Sequence, residues 1–244
     1  METIFLLGLV ILITHTLEGI TGFGCTVIAM PFAVALCGLE QGRTVLTITA
    51  LLQCLWISMW DFKYIDKKEC LKILVLMSAG MPFGMFAYRF LNEHILLILL
   101  ALFSCAVSIR GLCLFFLKHG RERQKKHKGP FAVLLFVGGV IHGAFTSGGP
   151  LAISYATEEF QDKRVFRATM CALWSVLNTL LLVQLIFGSS QAVESVVIAG
   201  LTIPFLVVGI ILGNLAHHGI KDRYFTPLSY SVLLISSAFL FFRA

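Results

Sequence analysis

Charge is scarce in this sequence. Only 13% of its 244 residues are Asp, Glu, Lys or Arg, against about 25% in soluble domains. With a mean hydropathy of +0.90, that excludes a water-soluble globular fold. Apolar runs fill nearly the whole length and leave no room for a separate soluble domain. Catalytic signatures are missing too: there is no HExxH, GxSxG, Walker loop or EF-hand pattern. The chain is therefore expected to be neither an enzyme nor a self-contained ATP-driven pump, and to need no cofactor. No CxxC pair occurs among the seven cysteines, which mostly lie in apolar segments. They read as free thiols packed as small hydrophobes, with no metal site expected. The N-terminus carries Glu2 in place of the basic stretch of a cleaved signal, so the first apolar run is expected to stay on the protein. Although the net charge is +6, the basic residues sit in short loops between apolar spans. That is the pattern of cytoplasmic membrane loops, and nucleic acid is not an expected partner.

What is present is a series of apolar segments: 2–18, 25–37, 43–60, 71–90, 94–117, 130–144, 149–160, 165–188, 193–216 and 224–242. Several exceed the roughly 20 residues needed to cross a bilayer. Two glycine-rich interruptions stand about 124 positions apart, at Gly19–Gly24 and Gly143–Gly149. If each interrupted segment is a hairpin that enters and returns to one side, fifteen basic residues fall on one side and three on the other. If each crosses once, the split is eleven against seven. The positive-inside rule favours the hairpins, with the linker cytoplasmic and both termini outside. Residues 1–117 then form a first repeat, 118–129 a basic linker, and 130–244 a second repeat. A hairpin plus three spans is an odd number of crossings, so the two halves are inverted. The expected fold is an all-α polytopic membrane protein of two inverted repeats. At an offset of 124, Gly19, Gly24 and Arg43 match Gly143, Gly148 and Arg167; at 122, Pro82, Phe83 and Asn92 match Pro204, Phe205 and Asn214.

A broken backbone within hydrocarbon must face protein or a wet cavity, because lipid satisfies neither N–H nor C=O. Each break precedes a short returning half-helix whose N-terminal N–H groups and dipole favour an anion. The expected substrate site is Glu18, Gly19, Thr21, Gly22, Phe23, Gly24 and Cys25, with His142, Gly143, Thr146, Ser147, Gly148 and Gly149. The glycines admit an oxyanion to the backbone, and Thr21, Thr146 and Ser147 offer hydroxyl donors. Close helix packing through small residues is the other explanation of the glycines. Glu18 and His142 precede the breaks at matching positions and read as a proton-responsive pair; backbone capping and a hydrogen-bonded core imidazole are the alternatives. Arg43 and Arg167 each open a span and read as anion gates, or as arginines snorkelling to headgroups. Gln53 and Asn178 line the cavity or simply bond between helices. Arg110 lies inside a span without an obvious partner. Gly24→Val and Gly148→Val are both expected to stop transport without unfolding the protein.

The chain resembles the TauE/SafE sulfite-exporter family of membrane permeases, whose halves each open with a pattern close to G-x-x-G-x-G-G-G-x-x-x-x-P. Gly19, Gly22, Gly24 and Pro31 carry the resemblance in one half, and Gly143, Gly148, Gly149 and Pro150 in the other. The glycine triplet is reduced to Gly24-Cys25 in the first and to Ser147-Gly148-Gly149 in the second. The resemblance implies ATP-independent movement of sulfite, thiosulfate or an organosulfonate across a bacterial plasma membrane. The reading is a secondary transporter working by alternating access, with Glu18 and His142 coupling it to protons. An anion channel, and a metal or cation permease using Glu18, His142 and the cysteines, stand as alternatives.

Overall fold

The computed structural model describes residues 2–117, 131–160, 162–188 and 191–217, plus the single positions Ser231, Leu234, Ile235, Ala238 and Phe241. The predicted basic linker 118–129 lies outside the described residues, as does nearly all of the last predicted span, 224–242. Nine helices are described: α1 Glu2–Thr21, α2 Cys25–Cys37, α3 Leu39–Trp60, α4 Lys67–Phe90, α5 Glu93–Leu117, α6 Phe131–Phe145, α7 Gly149–Glu159, α8 Lys163–Gly188 and α9 Ala192–His217. A single 3-10 turn, Phe62–Tyr64, joins α3 to α4, and no strand occurs among the described residues. Six of the helices, α1, α3, α4, α5, α8 and α9, are long and apolar enough to cross a membrane. The chain is an all-helical polytopic membrane protein. Its outer surface agrees: Phe83, Phe86, Phe90, Phe187, Val193 and Leu215 are each more than half exposed, as lipid-facing side chains are.

Several helices begin a turn before the apolar runs that announce them, because polar residues build their first turns. The Asp66 carboxylate accepts from the backbone N–H groups of Lys68 and Glu69, both at 3.1 Å, and starts α4. The Asp162 carboxylate does the same for Arg164 and Val165 at α8. Such caps satisfy donors that the helix itself leaves orphaned.

Both interrupted segments fold back on themselves. In a continuous helix His15 and Cys25 would be about 15 Å apart along the axis, yet their ligand atoms lie within 4.8 Å of each other. In the second segment, a Cβ on Gly148 would sit 2.3 Å from the Gly138 carbonyl oxygen. The α1–α2 and α6–α7 pairs are therefore hairpins.

Each hairpin's first helix packs in parallel on a long helix from the other half. Gly8 lies under the Phe205 ring, and Gly19 lies against Gly213, so α1 runs with α9. On the other side, Gly80 faces Phe136 and Gly84 faces Val140 and Ala144, so α4 runs with α6. Here Gly80-x-x-x-Gly84 meets Gly139-x-x-x-Gly143. A Cβ on Gly80 would stand 2.1 Å from the Phe136 oxygen, and one on Gly139 2.0 Å from the Met77 oxygen. Small residues at four-residue spacing let helix backbones touch where lipid gives no hydrophobic drive. Between these pairs, α3 packs against α8.

Candidate functional site

The breaks are shorter than the glycine spacing suggests. Gly19 and Gly143 lie inside α1 and α6, and the interruptions are Gly22–Gly24 and Thr146–Gly148. Gly19 and Gly143 are needed for helix contact: a Cβ on Gly143 would fall 2.3 Å from the Met81 oxygen, and one on Gly19 2.8 Å from the Gly213 Cα. At the breaks themselves the backbone turns through left-handed geometry, with φ of 82° at Gly22, 101° at Gly24 and 57° at Thr146. Glycine carries the first two without penalty. Pro150 stands in the first turn of α7, where a missing N–H costs nothing. The N-terminal turns of the two returning helices meet, with the Val27 side chain 4.0 Å from where a Cβ on Gly149 would lie.

An arginine of the opposite half meets each hairpin, Arg43 at the last turn of α6 before the second break and Arg167 at the first break. Arg43, on α3, is fully buried, donates from Nη2 to the Gly143 carbonyl and lies 4.0 Å over the Tyr88 ring. Arg167, on α8, packs its backbone against Gly22, donates from Nη2 to the Asn214 amide oxygen and stands 3.9 Å from Asp61. Arg43 keeps Nε and Nη1 without an acceptor, and Arg167 keeps Nε without one. Buried guanidinium donors left open are costly, and an oxyanion would fill them with charge-assisted bonds. Both arginines are buried, Arg43 at 0% and Arg167 at 5% exposure.

The two arginines differ in access. Arg167 lines a cavity of about 300 Å³ together with Trp56, Ile57, Trp60, Asp61, Arg164 and Asn214. Trp60 and Arg164 are exposed, so the cavity leads from the surface to Arg167. Arg43 is sealed at 0% exposure.

The hydroxyls beside the breaks are already engaged. Thr21 Oγ1 donates to a backbone carbonyl, with Leu17 at 2.8 Å and Phe23 at 2.9 Å. Ser147 Oγ donates to the Phe145 carbonyl at 2.9 Å. Thr47 Oγ1 donates to the Arg43 carbonyl, so the 3.1 Å contact between Thr47 and Thr146 has Thr146 as donor. In this state the three hydroxyls pin the breaks; a ligand would have to draw their protons away. Phe23 packs edge-on against Phe166 and ties the first break to α8.

Glu18 and His142 do not meet. Glu18 lies beside His15 and Cys25 and receives the Cys54 thiol at Oε1, 3.9 Å away. His142 stacks on Trp174 with centroids 5.5 Å apart and faces Asn178, yet neither ring nitrogen makes a well-formed hydrogen bond. Gln53 donates to the His15 carbonyl at 2.8 Å, an interhelical bond that joins α3 to α1. Arg110 does have a partner, the Ser154 hydroxyl at 2.7 Å. His15, Thr47, Cys54, Tyr88 and Asn214 were not among the expected site residues. They reach the site from helix interiors, and no local pattern announces them.

The geometry separates two glycines expected to behave alike. A Cβ on Gly148 would enter the Gly138 carbonyl at 2.3 Å and the His142 Cβ at 2.7 Å, so Gly148→Val is expected to disrupt the hairpin itself. A Cβ on Gly24 would meet only Ile28 at 3.9 Å. Gly24→Ala is expected to cost about 1–3 kcal/mol of backbone strain, keep the fold, and cut flux. Unchanged flux in a well-folded Gly24→Ala protein would show that this backbone turn does not shape the site.

The family model described as Sulfite exporter TauE/SafE matches residues 6–240. No curated protein and no solved structure matches the chain. The chain belongs to the TauE/SafE sulfite exporter family of membrane transporters.

Proposed function

We propose that the protein is a secondary transporter for a small sulfur oxyanion or sulfonate, and that the described conformation is open on the Arg167 side. The observation that carries this reading is the pair of buried arginines, each seated at the other half's hairpin with guanidinium donors unfilled. A fixed buried positive charge with empty donors favours an anion over a cation. The two glycine-bounded half-helix N-termini add backbone N–H groups to the same region. The family match supports a sulfur anion as cargo.

Residues 1–117 and 130–244 are assigned as inverted repeats, an arrangement that would give alternating access. Arg43 and Arg167 each meet the other half's hairpin. Phe83 packs on Phe136 at 5.5 Å, and its repeat mate Phe205 packs on Phe5 at 5.8 Å. One arginine sealed and the other at an open cavity is the asymmetry expected of one end state of such a cycle. By the distribution of loop charge, the open side is cytoplasmic and the N-terminus is outside. Glu18 and His142 are the groups assigned to proton coupling, one beside each break. Gln53 and Asn178, outside the lining of the open cavity, are assigned to the helix contacts behind the breaks.

Flux into proteoliposomes tests the reading, with sulfite, thiosulfate, sulfate, a taurine-like sulfonate and chloride compared with and without a pH gradient. Saturable, competitive flux of one sulfur anion is expected. A response to the pH gradient, lost in Glu18→Gln or His142→Gln, is the expected mark of proton coupling. Non-saturating chloride flux would favour a channel.

A further inference from the structure

Beside the first break lies a group of side chains of which the anion reading uses only Glu18. His15 and Glu18 come from the last turns of α1, and Cys25 opens α2. All three are buried, at 0%, 3% and 2% exposure, and their ligand atoms lie within 4.8 Å of one another. His15 Nδ1 is 3.6 Å from Glu18 Oε2. Neither His15 nitrogen has a hydrogen-bond partner, and nor does Glu18 Oε2. Glu18 Oε1, by contrast, takes the Cys54 thiol. An imidazole and a carboxylate oxygen left unsatisfied in hydrocarbon are expensive, and something must offset that cost.

We propose that His15, Glu18 and Cys25 bind one thiophilic divalent cation, with Glu18 then a metal ligand instead of a proton-coupling group. Three observations set the chemistry. The donors are one nitrogen, one oxygen and one sulfur, which suit zinc-like ions and not the all-oxygen shells of Mg²⁺ or Ca²⁺. A thiolate and a carboxylate together neutralise a divalent charge, which matters most where the dielectric is low. The spacing is also close to what a tetrahedral ion needs. Bonds of about 2.0 Å to N or O and about 2.3 Å to S place ligand atoms roughly 3.3–3.5 Å apart. The His15–Glu18 pair stands at 3.6 Å, and the widest spacing in the set is within 4.8 Å.

The supporting groups are in place. The Cys54 thiol orients Glu18 through Oε1 and leaves Oε2 for the ion, as partners of metal ligands commonly do. Cys171 faces Cys54 from α8. Gln53 fixes the α1 backbone at His15. Arg167 donates to Asn214 and stands 3.9 Å from Asp61, with Nε left open. On binding, the Cys25 S–H bond breaks, its proton leaves to solvent, and the sulfur bonds the ion. The bound ion joins α1 to α2 across Gly22–Gly24 and fixes the angle at which the α2 N-terminus is presented.

Co²⁺ is the probe, added to the purified full-length protein in detergent, with Zn²⁺ as competitor. The expected result is one Co²⁺ per chain, with tetrahedral visible bands and a thiolate charge-transfer band that Zn²⁺ displaces. His15→Gln and Cys25→Ser are each expected to weaken binding by more than the roughly 10- to 100-fold seen when only a ligand's supporting partner is changed. Cys37→Ser and Cys105→Ser, outside the cluster, are expected to leave the bands intact. Zn²⁺ is expected to raise the melting temperature of the wild type and of neither ligand variant. Two separate variants keep the test decisive if one fails to fold. Absence of the bands in the wild type, or their survival in His15→Gln and Cys25→Ser, overturns the site. Since no flux is measured, failure of the metal site and failure of anion transport are told apart.

Discussion

Gly84→Val is expected to prevent the protein from assembling, while Gly200→Val leaves it intact. A Cβ on Gly84 would stand 1.9 Å from the Val140 oxygen and 2.8 Å from the Ala144 nitrogen, both backbone atoms of α6. No rotamer change relieves a clash with backbone. The helices would have to part along the Gly80–Gly84 and Gly139–Gly143 seam, with loss of close contact along its whole length. Overpacking in well-packed sites costs about 1–3 kcal/mol and occasionally more; this contact belongs at the upper end or beyond. Gly200 has nothing within 4 Å of its added Cβ. Yield of monodisperse protein and melting temperature in detergent measure the difference. Equal behaviour of the two variants would show that α4 and α6 do not touch as described.

Arg167→Ala is expected to fold and to lose most of its transport. Its guanidinium is the deepest positive charge in the 300 Å³ cavity and keeps Nε free for a ligand. A hydrogen bond to a charged group contributes about 1.5–3 kcal/mol, so flux at low substrate is expected to fall by roughly 10- to 100-fold. The fold survives because both partners left behind can turn to water: Asp61 has 23% side-chain exposure and Asn214 lines the cavity. Arg167→Lys is expected to fall between the two, since it keeps the charge and loses the planar fork. Initial rates against substrate concentration separate weaker binding from slower turnover. Full activity of Arg167→Ala would remove the anion-gate role.

The nine described helices were legible in the sequence to within about a turn. Apolar length and the two glycine interruptions suffice for that, and the polar capping turns at Asp66 and Asp162 account for the early starts of α4 and α8. The hairpins were legible from loop charge, since only they put the basic loops on one side. The roles of individual glycines were not. Gly19 and Gly143 look like break residues in sequence because glycine serves both turns and helix contacts; only the neighbours Gly213 and Met81 tell the two apart. Repeat matching misled at Asn92. It matches Asn214 by position, yet Asn92 caps α5 by accepting from the Ile95 N–H at 2.9 Å, while Asn214 holds Arg167. The counterpart of Asn214 beside Arg43 is Tyr88. The His15–Glu18–Cys25 group was hidden because its members reach one another only through the reversal at Gly22–Gly24, and no ligand-spacing motif survives such a fold.

Counterflow of labelled substrate is the most direct test of the alternating-access account. Proteoliposomes are loaded with unlabelled sulfite or thiosulfate, diluted into a trace of the labelled anion, and followed in time. A carrier with one site exposed alternately to each side predicts transient accumulation above equilibrium, abolished by Arg167→Ala. Simple equilibration without overshoot, equally fast in empty vesicles, would contradict it and mark the protein as a channel.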